Sequence, residues 1–111
     1  MEKADREVPK PKPVRAGAVR YEVVRNARMR GFEQAGGVVA AVDGKTGAEL
    51  WALKVYAVAF EPGEERDVQE VYITALKVDA DGRHLLVTDE RGRVFAVDLQ
   101  TRKVAEVAPR R

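Results

Sequence analysis

The sequence predicts an all-β fold, an antiparallel meander of six or seven strands forming a small sheet, sandwich or open barrel with blade-like hairpins. Three observations point there. Valine dominates the apolar residues and Ile73 is the sole isoleucine, a β-branched bias that suits strands. Two stretches repeat one corner: Val39-Ala40-Ala41-Val42-Asp43-Gly44-Lys45-Thr46 and Val94-Phe95-Ala96-Val97-Asp98-Leu99-Gln100-Thr101, both V-x-A-V-D-x-x-T at an offset of 55. Short turn signals then recur through the second half, and no amphipathic crossover helix separates them.

The elements follow in order. Residues 1–16 read as a disordered basic tail, because Pro9, Pro11 and Pro13 alternate with Lys10 and Lys12 and favour extended polyproline II. One domain follows over 17–108. Val19 to Val24 reads as the first strand, with Val19, Tyr21 and Val23 on one face. Arg25 to Gln34 reads either as one helical turn around Met29 and Phe32 or as a strand continued past a bulge; Gly31, Gly36 and Gly37 exclude a long helix. Gly36 to Asp43 is the second strand, closed by the turn Gly44-Lys45-Thr46-Gly47.

Glu49 to Phe60 reads as one long strand, apolar on both faces except at Lys54, and so central in its sheet. After the acidic loop Glu61 to Asp67 comes a strand from Val71 to Asp79. Ala80-Asp81-Gly82 turns into His84 to Asp89. Arg91-Gly92 turns into Arg93 to Leu99, and Gln100 to Lys103 turns into Val104 to Val107. The expected core comprises Trp51, Leu53, Val55, Tyr72, Leu76, Leu86, Phe95 and Val97.

Ala41-Val42-Asp43-Gly44-Lys45-Thr46-Gly47-Ala48-Glu49-Leu50-Trp51 resembles the A-x-D-x-x-T-G-x-x-x-W repeat of quinoprotein-like β-propellers. Gly82 to Val104 resembles a blade of the same kind, without the second Gly and Trp. The resemblance implies that Asp43 and Thr46, and again Asp98 and Thr101, fix the corner between outer strands, and that Trp51 packs between blades. Closed propellers have four to eight blades of about 40–50 residues. A chain of 111 residues holds two, so the resemblance implies either assembly with further copies or a small domain that borrows blade-like hairpins. Quinone binding in those families draws on several blades of a full ring, and no cofactor is carried over.

Composition removes several chemistries. The chain has no Cys and no Ser, which excludes disulfides, thiolate metal sites and Ser or Cys nucleophiles. No apolar run reaches the roughly 18 residues of a membrane span, and the charged start lacks a signal-peptide core, so a cytoplasmic protein is expected. The net charge of +2 is segregated: +5 over residues 1–31, −7 over 32–90 and +4 over 91–111.

The remaining constellations are thin. His84 is the only histidine and needs co-ligands to hold a metal. Asp79-x-Asp81-Gly82 matches the opening of a calcium loop, with Glu90 twelfth, but Arg83 stands at the fifth position and Leu85-Leu86-Val87 make a strand inside it. No metal site is expected. Arg15, Arg20, Arg25, Arg28 and Arg30 could form a cationic stripe, but the acidic middle would repel phosphates. The expected function is that of a non-catalytic protein-interaction or structural module, with self-association as one form of it and Glu64, Glu65, Asp67, Gln69 and Glu70 as the candidate interaction surface. The alternatives are a carboxylate enzyme using that loop with His84, and nucleic-acid binding through the arginines.

Overall fold

The computed structural model describes residues 7–64 and 69–107. It is all-β, and its described residues form eight strands: β1 (Val14–Ala16), β2 (Val19–Val23), β3 (Val38–Asp43), β4 (Glu49–Lys54), β5 (Ile73–Val78), β6 (His84–Asp89), β7 (Val94–Asp98) and β8 (Val104–Val107). They make two four-stranded sheets in chain order, β1-β2-β3-β4 and β5-β6-β7-β8, with every neighbouring pair antiparallel. The sheets come closest at β1 and β5.

This corrects the expected six or seven strands in one small sheet, sandwich or open barrel. The count rises at β1, which forms inside the stretch read as a tail: Val14 pairs with Tyr21 and Ala16 with Val19. Gly17, at φ 62°, lets the chain reverse between the two strands.

A second correction concerns Glu49 to Phe60. Only Glu49–Lys54 is a strand, and it lies at the edge of its sheet with Leu50 51% exposed. The strand buried on both faces is β3, where Val38, Val39, Ala40, Ala41 and Val42 are all buried. Its inner face, Val39 and Ala41, belongs to the core shared by the sheets; its outer face, Val38 and Ala40, packs under Ala27 and Phe32 of the β2–β3 loop. That loop holds a single 3-10 turn at Ala27–Arg30, so the helical-turn reading is the one the chain adopts.

The shared core joins Tyr21, Val39 and Ala41 of the first sheet to Ile73, Leu85, Val87, Phe95 and Val97 of the second, with Val55 and Tyr56 of the crossover between them. Val55, Phe95 and Val97 are buried as expected, and Trp51, Leu53 and Leu76 pack against the cluster half-buried. Leu86 and Tyr72 are only half-buried. On β6 it is Leu85 and Val87 that point inward, and strand alternation turns Leu86 to the opposite face.

Candidate functional site

Two sites emerge, a buried polar junction and an uncovered sheet face. The junction forms where the chain crosses between sheets. Glu70, 3% exposed, accepts hydrogen bonds from the backbone N–H groups of Ala35 (2.9 Å) and Gly36 (3.1 Å) and from the Arg28 guanidinium (2.6 Å). Gln34, also buried, donates to the carbonyls of Gly36 and Tyr56 and accepts from the Val58 N–H. The Tyr56 hydroxyl donates to the Val71 carbonyl at 2.6 Å. Burial, reinforced by the charge of Asp89, pushes the Tyr56 phenol well above its ordinary range.

Glycine makes this approach of chains possible. A Cβ at Gly36 would stand 2.8 Å from the Val71 carbonyl oxygen. Gly37, at φ 79°, would press one against Gln34 and Tyr56. Beside the junction, buried Asp89 accepts from the N–H groups of Arg91 and Arg93 (both 2.9 Å) and from the Arg93 guanidinium (2.7 Å). Arg93 in turn lies over the rings of Tyr56 and Phe95, which stack at 5.1 Å. Both buried carboxylates are paired, as their burial demands, while the buried Nε of Arg28 makes no hydrogen bond among the described residues; the junction ties the two sheets together.

The expected interaction residues are divided by this arrangement. Glu70 is turned inward. Gln69 accepts from the Glu61 N–H and donates to the Glu61 and Glu64 carbonyls, stapling the loop, and Glu64 is exposed. Glu65 and Asp67 lie outside the described residues. An open cavity of about 510 Å³ borders this loop, with Glu61, Gln69, Glu70, Glu90 and Arg91 among its lining residues.

His84 is not brought to that loop. Ile73 pairs with Asp89 at one end of the β5–β6 hairpin and Val78 with Leu85 at the other. Glu70 stands before the first end and His84 at the second, and the two ends lie roughly 17 Å apart along a strand rising about 3.3 Å per residue. The companions of His84 are Asp79, 3.2 Å from its Nδ1, and Asp81 at 3.8 Å.

Ligand atoms of these three residues lie within 4.8 Å of one another, but the carboxylates already serve the turn. Asp79 accepts from the His84 N–H and Asp81 from the Arg83 N–H. A hydrogen bond with Asp79, then that N–H, holds the Asp81 carboxyl below its ordinary range. Glu90 accepts from the Tyr72 N–H at the far end of β6, so the calcium-loop spacing does not close. Of the five arginines of the expected stripe, Arg20, Arg28 and Arg30 are paired with Glu22, Glu70 and Glu49.

The repeated corners are built alike, between β3 and β4 and between β7 and β8. Asp43 accepts from the N–H groups of Lys45 and Thr46, and the Thr46 hydroxyl accepts from the Ala48 N–H. Asp98 accepts from Gln100 and Thr101, and Thr101 from the Lys103 N–H. These backbone donors hold both carboxyls below their ordinary range, Lys45 leading at Asp43 and Thr101 at Asp98. Trp51 lies across the gap from the second corner, with the Arg102 guanidinium 5.7 Å from its ring.

The face left uncovered among the described residues belongs to the second sheet. Register places Ala75, Lys77, Leu86, Thr88, Val94, Ala96, Ala105 and Val107 on the side opposite Leu85, Val87, Phe95 and Val97, with Lys77 directly across from Leu86. Leu86, Val94 and Ala96 are half-exposed and belong to neither apolar cluster. Sequence alternation carried this signal in Leu86-x-Thr88 and Val94-x-Ala96, but the weight given to Leu86 as core concealed it. No protein-family model and no curated protein matches this chain.

Proposed function

We propose that the chain is a non-catalytic interaction module that receives an apolar protein surface on the open face of its second sheet. The observation that carries this is the asymmetry of the two outer faces. The β2–β3 loop covers that of the first sheet, while Leu86, Val94 and Ala96 of the second meet no cluster. A sheet with apolar residues on both faces is the pattern of a layer covered on both sides; here Leu86, Val94 and Ala96 neighbour one another across β6 and β7, bordered by Lys77 and Thr88.

The blade resemblance supports the same reading. Each sheet is a consecutive four-stranded meander whose outer corner uses the same Asp and Thr, and Trp51 sits between the sheets. Blades of that family stack face to face. A pair of them bare at one end invites a further layer.

The test is mass against concentration by light scattering, with an apolar-surface dye as second readout, for the native chain and Leu86→Glu. The native chain is expected to bind dye and gain mass as concentration rises. The variant is expected to lose most of both while keeping its melting temperature, because Leu86 fills no core space. A native chain that remains monomeric at high concentration and binds no dye would remove the proposal.

A further inference from the structure

Resting on the interaction reading but using a different surface, we infer that β4 is a self-complementary edge that pairs antiparallel with β4 of a second copy about a two-fold axis at Ala52. The direction of its backbone groups comes from two hydrogen bonds. The Val55 N–H donates to the Gly37 carbonyl, and the Val24 N–H to the Val38 carbonyl. Val55 therefore faces β3, while Val38, opposite Lys54, faces β2. Alternation along the strand turns Leu53 and Trp51 toward β3 as well, and leaves the N–H and C=O of Ala52 and Lys54 pointing away from it. No strand lies on that side among the described residues.

A two-fold axis normal to the sheet keeps each side chain on its own face, so only residues of like orientation can meet across it. Centring the axis on Ala52 satisfies this. The outward N–H and C=O of the two Ala52 residues bond each other. On the inner face Trp51 meets Leu53 of the second copy, twice, continuing the apolar face that both already share with the core. On the outer face Lys54 meets the bulge at Leu50. There Glu49 is carried to the same side as Lys54, because Val42 and Val38, their partners in β3, share a face. Each copy thus brings Lys54 toward Glu49 of the other, adding a second cation to a carboxylate that already pairs with Arg30 of its own chain at 2.6 Å, and covers Leu50, otherwise 51% exposed. The charge pattern of the strand, Glu at its start and Lys at its end, selects a second copy over an unrelated strand. The first sheets then merge into one eight-stranded sheet.

The experiment uses the full chain carrying Leu86→Glu, so that association at the open face does not contribute. Sedimentation equilibrium is expected to show a dimer. Lys54→Glu, which sets like charges together at both ends, is expected to weaken it about tenfold, and so is Glu49→Lys. The double exchange Glu49→Lys with Lys54→Glu is expected to restore it to within about threefold. Amide exchange supplies a readout independent of variants: the Ala52 and Lys54 N–H groups are expected to slow on concentration and recover on dilution.

Failure of the double exchange to restore association, or exchange at Ala52 and Lys54 that ignores concentration, overturns the inference. If the native chain still gains mass through Leu86, the interaction reading survives that failure. If neither surface associates, both fall.

Discussion

At the scale of single residues the decisive group is Glu70. In the sequence it closes an acidic run that reads as solvated, and nothing local distinguishes it from Glu64. Its burial is set by partners 34 to 42 residues away in the chain, Arg28, Ala35 and Gly36, and contacts at that separation leave no periodicity to read. Replacing a buried acceptor leaves its donors unsatisfied, at about 1–3 kcal/mol for each group. Glu70→Gln retains one carbonyl acceptor and sheds the charge that holds Arg28. It is expected to cost about 3 kcal/mol, measured as a lower urea midpoint at unchanged slope. A loss within 0.5 kcal/mol would mean that solvent replaces the carboxylate without penalty.

At the scale of elements, legibility follows the range of the interaction. Both Asp corners were legible, because their hydrogen bonds span two or three residues. The hairpins from Ile73 onward were legible for the same reason. The stretch 49–60 was not: a period-two pattern identifies extended backbone but not what covers it. Here a six-residue edge strand and a crossover seated in the junction share one alternation.

The corners also give a pH prediction. Each carboxyl is held below its unfolded value, so its contribution is present above about pH 3.9 and disappears as pH falls through the folded value. Asn keeps the acceptor oxygen without the titration. Asp43→Asn together with Asp98→Asn is therefore expected to flatten the decline in melting temperature between about pH 5 and pH 2 while changing it little at neutral pH. An unchanged acid slope would assign the decline to other carboxylates.

At the scale of the whole molecule, the core is continuous from Tyr21 to Val97 and draws on both sheets and the crossover. Neither sheet has an apolar cluster of that size to itself. Chemical unfolding is therefore expected to be a single transition, with Trp51 fluorescence, which reports the first sheet and its gap, coinciding with far-ultraviolet circular dichroism. Two separated midpoints would show that the sheets fold independently.

The β2–β3 loop has one more effect. Where Ala27 and Phe32 lie across Val38 and Ala40, stacking by a further layer is blocked at that side, whereas among the described residues no loop packs on Leu86. Such a pair of layers has a head and a tail. On the reading proposed above, two copies meeting by the Leu86 face would seal each other, and stacking through that face would end at a pair.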